Sequence, residues 1–164
     1  MNNKTYETSA AAVALLKDNG FTVAVAESCT GGLLSSYLTA VPGVSAVYEL
    51  GVTSYSCRIK NKILGVKEET LDAFGAVSEN TAREMAECVR QKAGSDIGLS
   101  VTGVAGPDGS EGHVPGLVFI AAADKGGTRV KKLNIDPINR ETVRETAVKA
   151  VLELLIKTVE EVAK

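Results

Sequence analysis

Two kinds of apolar pattern alternate along the chain. Short, almost wholly apolar runs rich in Val, Ile, Leu and Ala occupy Phe21 to Ala26, Ile97 to Val101 and Leu117 to Ala123. Such runs suit strands covered on both faces. Val47 to Tyr55 is a further strand candidate. Between them the spacing is helical. Residues 5–19 read as a helix stopped by Asn19-Gly20, and Leu33 to Ala40 as one ended by Pro42-Gly43. Arg58 to Leu64 reads as a short helix. Ser78 caps another that runs to Lys92, with Ala82, Met85, Ala86 and Val89 on one face and Gly94 after it. The last helix runs from about Asn139 to the end, burying Val143, Ala147, Ala150, Val151, Leu154 and Leu155. Gly126-Gly127 turns Leu117–Ala123 into the alternating stretch Thr128 to Ile135, a hairpin whose last strand is antiparallel and near an edge. The expected class is α/β: one three-layer αβα domain over 1–164 around a mixed, mostly parallel sheet with a late antiparallel hairpin. No internal repeat, linker or second domain is visible.

Composition narrows the function. Of 164 residues, 45% are hydrophobic and 23% charged, as in globular proteins rather than disordered ones. Eighteen Lys and Arg against 20 Asp and Glu give a net charge of -2. That argues against a strongly basic nucleic-acid binder, and 4% aromatics without Trp argues against a base-stacking platform. No run approaches the length of a membrane span, and Ala10 to Leu16 lacks a signal-cleavage pattern after it. Three cysteines (Cys29, Cys57, Cys88) and one histidine (His113) do not make a zinc spacing, and they fit a reducing compartment. The expected location is cytoplasmic, with no metal or cofactor.

In open α/β sheets ligands sit beyond the carboxyl ends of the strands. Two polar, glycine-containing segments leave strands there: Glu27 to Gly32 and Thr102 to Gly109. In the first, Ser28 stands where a strand gives way to a helix. Unpaired backbone donors at such a start favour an oxyanion or phosphate, and Gly31 and Gly32 allow close approach. The alternative is that Ser28 or Thr30 merely caps the helix. A nucleophilic Ser needs a base. His113 sits in a Gly/Pro loop, poorly anchored for that task. Lys60, in Tyr55-Ser56-Cys57-Arg58-Ile59-Lys60, is the other candidate; burial or a neighbour such as Arg58 would have to depress its pKa. Read locally, it is equally an ordinary solvated cation. Cys29 is a second nucleophile candidate, ranked below Ser28 because Cys is the better core residue.

Arg140 and Arg144 share a face near the start of the last helix, where like charges repel and oppose the helix dipole. An anionic ligand would relieve both, as would pairing with Glu141 and Glu145. Thr102-Gly103-Val104-Ala105-Gly106-Pro107-Asp108-Gly109 is neither a Walker loop nor a dinucleotide fingerprint.

Taken together, Glu27-Ser28-Cys29-Thr30-Gly31-Gly32, the segment Gly51 to Lys60 with Leu64-Gly65-Val66 after it, Gly75-Ala76-Val77-Ser78-Glu79 and the Thr102 to Gly109 loop resemble the carboxy-terminal domain of the competence-damage-inducible CinA family. The resemblance spans nearly the whole chain. Stand-alone members of that family include bacterial nicotinamide-nucleotide amidases of the pyridine nucleotide cycle. The amino-terminal molybdopterin-binding-like half of full-length members has no counterpart here, so its activities are not expected.

What the resemblance implies is a serine amidohydrolase with a Ser/Lys arrangement and no metal. Ser28 matches the nucleophile and Lys60 the base, with Tyr55 beside it to aid the proton relay. Thr102 and Gly103 resemble site residues of the glycine-rich loop. Arg140 and Arg144 fall where relatives carry two arginines facing a nucleotide phosphate. The implied reaction converts nicotinamide mononucleotide to nicotinate mononucleotide and ammonia, with backbone donors near Thr30, Gly31 and Gly32 holding the oxyanion. The implied partners are this small nucleotide and a second copy in a homodimer, with no nucleic acid and no membrane. Two other functions stay open: a non-catalytic nucleotide- or protein-binding module, and an amidase for another phosphorylated amide.

Overall fold

The computed structural model describes residues 1–164. The chain runs through α1 (Asn3–Asn19), β1 (Val23–Glu27), α2 (Leu33–Thr39), β2 (Tyr48–Thr53), α3 (Cys57–Ile59), a π-helical turn (Lys60–Leu64), α4 (Glu68–Phe74), α5 (Glu79–Ala93), β3 (Ile97–Gly103), β4 (Leu117–Asp124), β5 (Gly127–Asn134) and α6 (Arg140–Val162). The strands form one mixed sheet in the order β2-β1-β3-β4-β5. β1 pairs in parallel with β2 on one side and β3 on the other; β3–β4 and β4–β5 are antiparallel. β4 is therefore the one reversed strand, and β5, at the edge, returns to the direction of β1.

Alternation along the strands divides the core in two. Val23 and Val25 of β1, with Ile97, Leu99 and Val101 of β3, pack under α1, α2 and α6. Ala24 and Ala26 face the other way, onto Met85 and Val89 of α5, and Ala121 and Ala123 meet Ala82 and Ala86. This second face is lined with small residues because α5 lies almost on the sheet. A Cβ on Gly98 would overlap the Ala86 carbonyl, and Ser100 Oγ donates to Ala82 O at 2.6 Å. β1 is buried throughout, as its unbroken apolar run predicts. The three layers expected from the sequence are present.

Local details differ. The second strand ends at Thr53, not Tyr55. The short helix expected over 58–64 is one α-turn followed by a π-turn. Helix α4 was not expected; it buries only Thr70 and Leu71, too little to leave a periodic signature. No helix is long and apolar enough to cross a membrane.

β2, β1 and β3 point the same way, so their carboxyl ends share one edge of the sheet. The chain leaves β1 to one side for β2, then crosses back past β1 to β3. β1 thus lies at a topological switch point, where α/β sheets open a crevice. Three distant pieces of sequence meet there: 27–32, 54–60 and 102–106.

Candidate functional site

The turn after β1 is held by a buried carboxylate. Glu27 is fully buried and accepts five hydrogen bonds. Its Oε2 takes the Thr30 hydroxyl at 2.7 Å and the N–H groups of Gly32 and Leu34; its Oε1 takes the N–H and hydroxyl of Ser35. These are the orphan donors at the start of α2, where negative charge is favoured. Glu27 therefore does the capping for which Ser28 and Thr30 were the sequence candidates. Gly32 occupies the N-cap position at φ 96°, without a capping side chain, so a side chain there would be strained.

Ser28 is thereby free of any capping duty. Its N–H donates to Val101 O at 3.0 Å, tying the turn to β3. Its hydroxyl meets Lys60, whose Nζ lies 2.9 Å from Ser28 Oγ, 2.6 Å from Ser54 O and 3.4 Å from Tyr55 O. The Lys60 side chain is fully buried, and Ser28 is 8% exposed. Burial holds the Lys60 pKa below the ordinary lysine value; Cys57, Cys29 and Glu111 pull the other way. Arg58, suggested above as a helper, is exposed and is not among the groups acting on the amine. When the amine is neutral, the two carbonyls can accept its two N–H bonds, which leaves its lone pair for the Ser28 O–H. The π-turn starting at Lys60 carries the side chain inward from the end of β2. Such turns insert a residue and re-aim side chains at functional sites.

Ser28 lines a cavity of about 250 Å³ shared with Cys29, Tyr55, Thr102, Gly103 and Arg140. Thr102 Oγ donates to Ala76 O at 2.6 Å, so this hydroxyl anchors the 75–77 segment. Arg140 donates to Gly106 O at 2.6 Å and to the Tyr55 hydroxyl at 2.8 Å. Arg144 donates to Thr30 O at 2.6 Å from behind the turn. Neither arginine pairs with a carboxylate, so the alternative of neutralisation by Glu141 and Glu145 does not hold; Glu145 instead accepts the Tyr37 hydroxyl.

Some expected roles change hands. The N–H of Gly31 is spent on Ser28 O and that of Gly32 on Glu27, so neither is open to a ligand. The Thr30 N–H finds no acceptor, and the Cys29 N–H meets only its own sulfur. The unspent donors of this turn therefore precede the glycines: Cys29 lines the cavity, and Thr30 is fully buried outside it. The Tyr55 phenol bonds Arg140; its carbonyl, not its hydroxyl, reaches Lys60. Arg144 braces the turn and does not line the cavity. Cys29 lines it, but burial raises its thiol pKa to about 11, which keeps it protonated. His113 is half-buried outside the cavity lining.

Sequence reasoning missed Glu27, Ser54, Ala76 and Glu111. Glu27 was inside the quoted motif, and an acidic residue just before a helix start was the available signal. Ser54 and Ala76 act through carbonyls, which no side-chain pattern reveals.

The CinA C-terminal domain family model matches residues 5–159. The chain is 48% identical over 144 residues to the CinA-like protein of Kosmotoga olearia, covering 87% of this chain and 35% of that one. It spans about a third of the length of the curated relatives it matches. Among solved structures, the competence/damage inducible protein CihA of Agrobacterium tumefaciens aligns with a TM-score of 0.91 at 35% identity, covering 96% of each chain. The competence damage-inducible protein A (ComA) of Klebsiella pneumoniae aligns with a TM-score of 0.92 at 37% identity, over 97% of this chain and 98% of that one. The chain belongs to the CinA C-terminal domain family.

Proposed function

We propose that this domain hydrolyses the carboxamide of nicotinamide mononucleotide, releasing ammonia and nicotinate mononucleotide. The observation that carries the proposal is the 2.9 Å approach of Lys60 Nζ to Ser28 Oγ, with both groups buried beside a cavity that Arg140 also lines. Burial, which disfavours the charged form of this amine, favours its taking part as the proton acceptor.

Ser28 Oγ attacks the amide carbon as its proton passes to Lys60 Nζ. The developing oxyanion is held by the unspent N–H of Cys29, which lines the cavity. The carbon–nitrogen bond breaks as Lys60 returns the proton to the departing ammonia. Water then attacks the acyl-serine, gives a proton to Lys60, and the carboxylate product leaves as Ser28 recovers its hydrogen. Ser54 O and Tyr55 O hold the amine in line with the hydroxyl throughout. Arg140, oriented by the Tyr55 hydroxyl and Gly106 O, takes the 5′-phosphate, a remote contact that helps position the amide. Arg144, Gly31 and Gly32 shape the turn from outside the reaction, and Thr102 and Gly103 form the facing wall.

Purified protein supplied with nicotinamide mononucleotide should release ammonia, and Ser28→Ala should lower kcat by at least about a thousandfold, the usual scale for loss of an activated nucleophile. Unchanged turnover in Ser28→Ala, or activity lost only in Cys29→Ala, overturns the assignment. Ligand-induced stabilisation with no turnover in the wild-type protein favours a binding module. A panel with and without the 5′-phosphate separates this amide from other phosphorylated ones.

A further inference from the structure

The cavity beside Ser28 is lined by charges of both signs. Arg140 contributes a guanidinium, while the loop that follows β3 contributes the carboxylates of Asp108 and Glu111. The two acids differ. Both are exposed, but the Asp108 carboxylate makes no hydrogen bond. Glu111 is held: its Oε2 accepts the Val77 N–H at 3.1 Å, and its Oε1 lies 4.0 Å from Cys57 Sγ. It is also the only non-glycine residue with positive φ, at 52°. A residue with a Cβ occupies that region at a cost, so the surrounding contacts must hold it there. No lysine, arginine or histidine pairs with this carboxylate. A fixed anion without a counter-charge therefore lines the same cavity as the Ser28 hydroxyl.

We propose that Glu111 is a specificity-determining residue that selects amides carried on a cationic heteroaromatic ring, its carboxylate lying against the ring charge while Arg140 takes the phosphate. The proposal rests on the amidase reading and narrows its substrate class. In such a substrate the ring nitrogen bears a permanent positive charge and lies only two ring bonds from the carbon that bears the amide. With the amide carbon at Ser28, that charge must fall inside this small cavity, where an unpaired carboxylate lowers its desolvation cost. A second consequence follows for the base. The Glu111 carboxylate favours the charged form of Lys60. A cation docked against Glu111 offsets that pull, so the substrate itself moves Lys60 toward the neutral form that accepts the Ser28 proton.

The test compares nicotinamide mononucleotide with its neutral isostere, in which a benzene ring replaces the pyridinium and the amide and phosphate are kept. Calorimetric binding is measured on Ser28→Ala protein with and without Glu111→Gln. Gln keeps an oxygen for the Val77 N–H, so the loop anchor survives, and an unchanged Tm checks it. The Ser28→Ala protein should prefer the cationic ligand by roughly tenfold or more, the scale of one screened charge pair at an intermediate dielectric. Glu111→Gln should bring the two affinities within about threefold of each other. A merely structural loop defect would weaken both ligands equally and leave their ratio intact, which overturns the proposal, as does equal affinity before the substitution. The ammonia assay on otherwise native protein decides the amidase reading separately. Turnover without ring preference sinks the selection alone; ring preference without turnover sinks the amidase alone; no binding of either ligand sinks both.

Discussion

Two glycine-containing segments leave neighbouring parallel strands at the same edge of the sheet, yet they are built in opposite ways. The turn from Glu27 to Gly32 is short and buried as far as Thr30, and a single carboxylate accepts five hydrogen bonds inside it. Arg144 and Val101 brace it from outside. The loop from Gly103 to Gly116 is longer, and most of its tip is exposed. It is tied down at a few points: the Ser110–His113 bridge, Arg140 on Gly106 O, and Glu111 on Val77 N. The difference suggests a division of labour. A nucleophile must hold its position to a fraction of an ångström, which needs a wall with no alternative arrangement. Recognition of a ring or a phosphate tolerates a wall attached at fewer places, and loops are where such selectivity is varied.

Weakening the stiff wall should have the larger effect. Glu27→Gln keeps the shape but removes the charge and replaces one acceptor oxygen with an amide that meets N–H donors head-on. Unsatisfied buried donors and a lost charge-assisted network together cost about 2–4 kcal/mol. Denaturant unfolding should show that loss as a lower midpoint with little change in slope. Activity should fall as well, since α2 and the Ser28 turn share the same anchor. Stability within about 0.5 kcal/mol of the wild type, the range of ordinary surface changes, would mean that the turn does not depend on this carboxylate.

A smaller, pH-dependent effect should mark Lys60. Its native pKa lies below the ordinary lysine value because burial penalises the charged form. In the window between that lowered pKa and the unfolded value of about 10.4, the unfolded chain binds more protons than the native one, so stability rises with pH. Below the window the burial penalty on the ammonium is felt in full. Lys60→Met has no such group, so the stability of the wild type relative to this variant should climb as pH rises through the window. Cysteines and tyrosines that titrate nearby are present in both proteins and cancel in the difference. Urea unfolding at a series of pH values measures it, and a flat difference would show that the amine is not perturbed.

Much of this arrangement could be read from the chain. The alternation of apolar runs and helical stripes gave the three layers, because each element buries its own periodic face. The carboxyl-end rule and the motifs pointed to Ser28, Lys60 and Arg140. What stayed hidden depends on contacts between residues far apart in sequence. That the Lys60 amine turns inward follows from a π-turn and a strand ending at Thr53, which leave no periodic mark. Ser54 and Ala76 contribute backbone oxygens. Gly31 and Gly32 suggested open donors, but an acid a few residues earlier had already taken the Gly32 N–H. Arg140 and Arg144 looked equivalent on the helix, and only the packed turn separates the one at the cavity from the one behind it.

The smallest expected effect probes the loop itself. His113 is the only histidine in the chain, and by type alone it is the commonest general base. In the structure its backbone closes the bridge to Ser110 while its side chain makes no hydrogen bond. His113→Ala keeps both backbone bonds, so stability should change by no more than about 0.5 kcal/mol, as at other positions without a buried partner. If Lys60 is the base, the rate of ammonia release should stay within about twofold of the wild type, and no limb of the pH–rate profile should disappear. Loss of activity with unchanged folding would move the proton transfer to the loop. It would also reverse the contrast between the two segments, because the chemistry would then depend on the less firmly held wall.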